Sequence, residues 1–240
     1  MLLVGCAACI AHGVAAAQPL ENTLRLSVVA ASDYKRNGLS QTNSRPAARF
    51  SGDFEHRSGF YAGGFVTNVD YAAETYRSAV PRDLQTNFYV GYLWRDSKWQ
   101  ANVSVGRYVY PSAVPSYNYT QTAINASYRG RYFFGITYSR KYLSFDRSAL
   151  HYRIGTALPL PRNFEVGINA GVLRSNGRFD LDYSFWDIGV SHVIDRFALD
   201  LRYHDNTYGR TSVLGQASGD RWVFSVAYAI SPRSRRPAGR

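Results

Sequence analysis

Apolar or aromatic side chains alternate with small or polar ones from about Thr23 to Ile230, in roughly a dozen stretches of about ten residues each. The cleanest stretch sets Phe164, Val166, Ile168, Ala170 and Val172 against Glu165, Gly167, Asn169 and Gly171. Successive strand residues point to opposite faces, so these two sets line opposite sides of one strand. The same rule turns Trp222, Phe224, Val226, Tyr228 and Ile230 one way, and Phe197, Leu199, Leu201 and Tyr203 likewise. Their alternates include Asp200, Arg202 and His204. The pattern predicts strands near Thr23 to Tyr34, Ala48 to His56, Phe60 to Asp70, Leu84 to Trp94, Trp99 to Tyr110 and Tyr117 to Tyr128. Six more are predicted near Tyr132 to Ser139, Ser148 to Leu158, Phe164 to Leu173, Tyr183 to Ile194, Phe197 to Asp205 and Asp220 to Ile230.

The connections alternate too. Arg95-Asp96-Ser97-Lys98, Tyr128-Arg129-Gly130-Arg131 and Val193-Ile194-Asp195-Arg196 are tight, whereas Lys35 to Pro46, Ala72 to Asp83 and Asn206 to Gly219 are long. Short turns on one side and long loops on the other are how outer-membrane barrels are built. The predicted fold class is therefore all-β, a closed antiparallel transmembrane β-barrel of about 12 strands, with short periplasmic turns and longer extracellular loops. A soluble barrel would hide its apolar set inside and would rarely need aromatics at 15% of its residues. No run of about eighteen apolar residues follows the first segment, so strands are the means of crossing a bilayer.

Met1 to Ala17 contains no Lys, Arg, Asp or Glu and ends in Ala15-Ala16-Ala17, so residues 1–17 read as a signal peptide without the usual basic n-region. Leu3-Val4-Gly5-Cys6 resembles a lipoprotein box, but no room precedes it for an n-region and an apolar core. The barrel is expected over 18–231, followed by a basic, proline-containing tail over 232–240 that is expected to stay disordered. Both cysteines, Cys6 and Cys9, fall in the segment expected to be removed, which takes disulfides, structural zinc and thiol catalysis out of the mature chain.

Formal net charge is +11, of which Arg233, Arg235, Arg236 and Arg240 in the tail carry four, leaving +7 for barrel and loops. A lipid-facing Arg or Lys at the midplane costs about 2–4 kcal/mol, so the excess belongs to lumen, turns and loops. Strand parity points Arg25, Arg49, Arg153, Arg202, His151 and His204 inward, with Asp53, Glu165, Asp187 and Asp200. A guanidinium-lined passage focuses a positive field and favours small anionic solutes. The competing expectation is that these charges pair across a closed lumen, leaving a structural or adhesive barrel that works through its loops. Tyr108-Val109-Tyr110 and Tyr117-Asn118-Tyr119 flank a proline-containing loop and are expected to belong to an aromatic girdle, with sugar contact the alternative.

A membrane-face hydrolase would need a nucleophile, a base and an orienting group in reach of one another. Of five histidines, His12 lies in the signal segment, His56 at a turn and His192 on the lipid face. His204, Arg202 and Asp200 share one strand face with steps of about 7 Å, too far for a direct triad. No enzyme and no cofactor are expected, and no phosphate loop, metal-ligand cluster or nucleic-acid motif is present. The expected partners are outer-membrane lipid and lipopolysaccharide, the barrel assembly machinery and small anionic solutes, with no nucleic acid.

The segment Ser32-Asp33-Tyr34, Gly38, Ser40-Gln41-Thr42 and Pro46-Ala47, continuing through Ser58-Gly59-Phe60-Tyr61, Gly63 and Thr67-Asn68-Val69-Asp70-Tyr71, resembles the amino-terminal signature of the TorF family of porins. Members of that family carry an aromatic residue and then Arg before the glycine, where this chain has Arg36-Asn37-Gly38. The resemblance implies a proteobacterial outer-membrane barrel of porin type and carries no ligand residues with it. Physically, Asp33 with Ser40, Gln41 and Thr42 can hydrogen-bond within the first loop, and Ser58-Gly59 makes a turn pair.

Overall fold

The alternation is realised as twelve antiparallel strands that close on themselves, each paired with its sequence neighbours and the first with the last. A computed structural model describes residues 22–70, 83–111, 116–142, 147–176, 182–208 and 217–230. Residues 1–17 and 232–240, and most of the long connections expected at 72–83 and 206–219, lie outside the described residues.

The barrel strands are β1 (Thr23–Ala31), β4 (Ala47–Glu55), β5 (Phe60–Val69), β6 (Asp83–Arg95), β7 (Trp99–Val109) and β8 (Tyr119–Tyr128). The second half supplies β9 (Tyr132–Ser139), β10 (Ser148–Leu160), β11 (Phe164–Asn176), β12 (Tyr183–Ile194), β13 (Phe197–Asn206) and β14 (Arg221–Ala229). Two short strands, β2 (Lys35–Arg36) and β3 (Leu39–Ser40), pair only with each other inside the first long connection. Closure leaves no unpaired sheet edge, which a bilayer would penalise by several kcal/mol for each unsatisfied backbone group.

The outer surface is apolar around the ring. Leu24, Phe88, Val90, Ile124, Ile154, Leu201 and Trp222 are all exposed, and each occupies the outward phase of its strand. Contiguous exposed apolar area of this extent has lipid as its natural solvent. Aromatic pairs mark the short-turn rim, with Phe60 and Tyr92 at 5.1 Å, Trp99 and Tyr128 at 4.9 Å, and Phe197 and Tyr228 at 4.9 Å. Trp186, Tyr203 and Trp222 form a second group near the opposite rim. His192 stacks on Phe164 at 4.0 Å on the outer face. The midplane can be located by substitution. Val90→Arg, in the middle of β6, is expected to cost about 2–4 kcal/mol in urea unfolding from lipid vesicles, and Leu84→Arg near the strand end about 0–1 kcal/mol.

The five tight connections lie at one end. Asp96 shapes the β6–β7 turn by accepting from the backbone N–H groups of Trp99 and Lys98, both at 2.7 Å. Those bonds stabilise its ionised form and hold its carboxyl below the usual range. Gly59, in the left-handed region at φ +93°, closes the β4–β5 turn, with its N–H on His56 O at 2.9 Å.

Two features depart from the strand pattern. The first strand ends at Ala31 rather than Tyr34: Ser32 N–H still donates to Phe224 O at 2.9 Å, and Asp33 then turns the chain inward. Tyr108, Tyr110 and Tyr119 are no girdle: all three are nearly fully buried inside the barrel, with 1–3% of their surface exposed. Tyr suits either a membrane rim or a polar lumen, since it carries an apolar ring and a hydroxyl. Only the neighbours decide.

Candidate functional site

The first long connection folds into the barrel. Its core is the β2–β3 hairpin, with Asn37 (φ 49°) and Gly38 (φ 80°) as the central turn residues. Positive φ at both positions of a two-residue loop is the mirror-image turn that matches strand twist, and Asn-Gly is its favoured sequence. A side chain at Gly38 would strain the turn and place its Cβ 2.6 Å from Phe185 Cβ.

The base of the hairpin is tied by the residues of the amino-terminal motif. Ser40 Oγ donates to Asp33 Oδ1 at 2.5 Å, and Thr42 Oγ1 sits 2.8 Å from the same oxygen while accepting from Tyr34 N–H. Ser40 Oγ in turn accepts from Ser44 N–H at 2.8 Å. Asp70 N–H donates to Gln41 O at 2.8 Å, and Arg45 pairs with the Asp70 carboxylate at 2.7 Å, so the two halves of the motif meet in space. Lys35 reaches Gly219 O at 3.4 Å, with Asp33 Oδ2 at 4.0 Å. Burial pushes the Lys35 ammonium down from its usual value, and the neighbouring Asp33 opposes that shift.

The tip spans the lumen. Arg36 donates to Gln121 Oε1 at 2.8 Å and to the Tyr119 hydroxyl, and its guanidinium lies 4.1 Å from the centre of the Tyr108 ring. The Asn37 side chain meets two residues of β10. Arg153 Nη2 can only donate, so it fixes the carbonyl oxygen of Asn37 toward itself at 2.9 Å. The Asn37 amide nitrogen then faces His151 Nδ1 at 2.7 Å, which makes that ring nitrogen the acceptor. Gly38 O accepts from Asn206 Nδ2 at 3.0 Å. Aromatic clusters clasp the hairpin on both sides, Tyr34 joining Phe65, Tyr108, Tyr110 and Tyr119, and Leu39 packing on Leu173, Tyr183 and Phe185.

The structure sorts the inward charges into distinct settings. Arg202 is held by Asp187 Oδ1 at 2.6 Å and by Asp200 Oδ2 at 3.1 Å, and Ser191 donates to Asp200 at 2.7 Å. His204 Nδ1 lies 3.9 Å from Asp187 Oδ2, on the neighbouring strand. Near the short-turn mouth Glu55 accepts from Arg25 at 3.2 Å and from Arg95, while the Tyr89 hydroxyl donates to Asp53. Glu165 faces inward on β11, paired in register with Ser191 and Pro159. The Arg49 guanidinium stacks over Phe65 at 4.1 Å and Tyr34 at 4.5 Å. Arg153 and Arg36 are different: among the described residues neither pairs with a carboxylate.

Both of those arginines line a lumen cavity of about 70 Å3. Its wall includes Asn87, Gln121, Asn125, Phe133 and Phe185 and, among the described residues, no Asp, Glu or Lys. Arg153 and His151 thus come together, whereas Arg202, Asp200 and His204 form a separate network on β12 and β13. Arg36, Asn37 and the lumen amides were missed as site residues. Asn37-Gly38 was the sequence signal for the hairpin, but that a loop enters the barrel has no local signature. Among the described residues, no group of three His, Cys, Asp or Glu side chains could hold a metal ion.

Two porins are among the solved structures with a similar architecture. The chain is similar to "KdgM porin in complex with disordered oligogalacturonate", with a TM-score of 0.51 and 10% identity over 87% of this chain and 100% of that one. It is also similar to a NanC porin structure, with a TM-score of 0.55 and 10% identity over 86% of this chain and 99% of that one. At that identity the likeness establishes a shared twelve-stranded, porin-type barrel fold. No curated protein matches the chain. A family model described as "Bacterial protein of unknown function (Gcw_chp)" matches residues 14–229, which include all twelve barrel strands, and the chain belongs to that family.

Proposed function

We propose that this protein is an outer-membrane channel for passive diffusion of small anionic solutes, with the β2–β3 hairpin as its constriction. The observation that carries the reading is the pair Arg36 and Arg153, which face the lumen cavity without carboxylate partners among the described residues. Fixed positive charge in a narrow passage with low-dielectric walls attracts anions and repels cations. The formal excess of positive charge acts in the same direction at the loops. On this reading Arg25 attracts solutes at the periplasmic mouth, Arg49 and His151 flank the path near the hairpin, and Arg153 is the wall half of the filter. Arg202, Asp200, His204 and Glu165 border the path while their network braces the barrel.

The resemblance of the 32–71 motif to the TorF family of porins belongs to the same reading. So do export by a signal peptide over residues 1–17, insertion by the barrel assembly machinery and a surface set in outer-membrane lipid and lipopolysaccharide. The tight turns then face the periplasm and the hairpin enters from the outside. A second reading, a closed barrel acting through its loops, is favoured by one observation: the aromatic clusters pack the hairpin on two sides.

Single-channel recording of the refolded chain in a planar bilayer under a salt gradient separates the two. Discrete steps with a reversal potential of anionic sign are expected, and Arg153→Ala should move that potential toward zero while the protein still folds. A folded barrel that gives no steps would favour the closed reading.

A further inference from the structure

The cavity offers more chemistry than anion selectivity requires. One guanidinium arrives from the loop tip and the other from β10, and the Asn37 amide, next in sequence to Arg36 and hydrogen-bonded to Arg153, fixes their relative placement. Among the described residues, a protein acceptor engages only one of the five N–H donors of Arg153, the Asn37 oxygen. The other donors can reach a carboxylate without first breaking an ion pair.

The remaining wall is neutral, hydrogen-bonding and aromatic. Gln121 and Asn125 present amides, and the Asn125 amide already braces Asn102 across the β7–β8 ladder at 3.1 Å. Asn87 is fully buried in the same wall, with its amide nitrogen on Arg107 O at 3.2 Å and its carbonyl oxygen without a donor among the described residues. A buried acceptor left open is costly, and a hydroxyl would satisfy it. Phe133 and Phe185 add apolar ring faces beside these groups. Simple inorganic anions can accept from the amide N–H groups but have no use for the amide carbonyl oxygens or the ring faces. A ring bearing both hydroxyls and a carboxylate uses all three kinds of group.

We propose that this cavity is a binding site for a sugar acid, with Arg36 and Arg153 taking the carboxylate, the amides taking hydroxyls and the aromatic faces packing on the C–H face of the ring. The proposal deepens the channel reading and rests on it for the solute's charge. Planar guanidinium groups suit a carboxylate, since two parallel N–H donors match its two oxygens.

The test is calorimetric titration of the refolded full chain in detergent with D-glucuronate, D-glucose and acetate, alongside Arg36→Gln, Arg153→Gln and Asn125→Ala. Glucuronate is expected to bind at least about tenfold more tightly than either comparison ligand. Each arginine variant should lower glucuronate affinity by about tenfold or more, as the loss of a charge-assisted bond predicts. Asn125→Ala should weaken glucuronate but leave acetate unchanged. Equal binding of acetate and glucuronate would overturn the proposal, as would arginine variants that bind like the parent. Should a variant fail to fold, seen as lost heat-dependent gel migration, the three-ligand comparison on the parent chain still decides. Binding without conductance steps would keep the site and remove the diffusion reading. Anion-selective steps without glucuronate binding would do the reverse.

Discussion

Excising Lys35 to Ser40 and joining Tyr34 to Gln41 through two glycines is expected to raise single-channel conductance several-fold and to weaken anion selectivity. The join is geometrically easy, because Gln41 N–H already donates to Tyr34 O at 2.7 Å, so the hairpin's base is closed before the cut. No barrel strand loses a ladder partner, since β2 and β3 pair only with each other. What disappears is the tip that spans the lumen from Gln121 on β8 to Asn206 on β13. Arg36 leaves with it, one of the two cavity arginines that pair with no carboxylate among the described residues. Some stability should also go, about 1.5–3 kcal/mol for the Leu39 side chain and the rings it covers. Planar-bilayer recordings of parent and excised chains test this directly. Unchanged conductance would mean that the narrowest point lies elsewhere in the lumen.

The second large effect falls on stability. Arg202→Met is expected to destabilise the barrel by about 3–5 kcal/mol, because it strands two carboxylates in a buried wall. The Arg202 side chain is 4% exposed and that of Asp200 6%, and each carboxylate loses its guanidinium partner. Asp187 would keep the Asn169 amide at 2.7 Å and Asp200 the Ser191 hydroxyl, neither of which cancels a full charge. Combining Arg202→Met with Asp187→Asn and Asp200→Asn should recover most of the loss, since a neutral wall carries no unpaired ion. Urea unfolding monitored by tryptophan fluorescence measures both. A single variant as stable as the parent would show that water solvates the pair and that the network is not structural. Strand parity put Arg202 and Arg153 in one class, as inward arginines. Their neighbours separate them into a brace and a candidate filter.

Much of the barrel was legible because a bilayer imposes a strict rule on each strand. Tyr132–Ser139 and Tyr183–Ile194 have the same bounds in sequence pattern and in structure. Every second residue there faces lipid and must be apolar, so the period is printed on the chain. Strand ends were less legible. Asp33-Tyr34 continues the alternation of β1 yet leaves the sheet, because Asp33 finds Ser40 and Thr42 as partners. The paired residues lie seven and nine positions apart, close enough to be suspected as a loop network but too far for a periodicity argument to exclude the strand. The three lumen tyrosines show a further limit. Period-two reasoning assigns a face, and for Tyr either face is chemically acceptable.

The sequence by itself determined the fold class, the twelve-strand rhythm, which residues turn inward and which end carries the tight turns. All of these follow from local alternation and turn chemistry acting on neighbours within a few positions. Tertiary structure alone decided that the first loop folds into the lumen, that Arg36 and Asn37 meet Arg153 and His151 there, and that Arg202 is neutralised while Arg153 is not. Arg202 meets Asp200 and Asp187 only 2 and 15 positions away, through strand register, whereas the hairpin contacts join distant residues, as in the 116 positions that separate Asn37 from Arg153. No local pattern encodes such a meeting, because closing the barrel is what brings the two segments together.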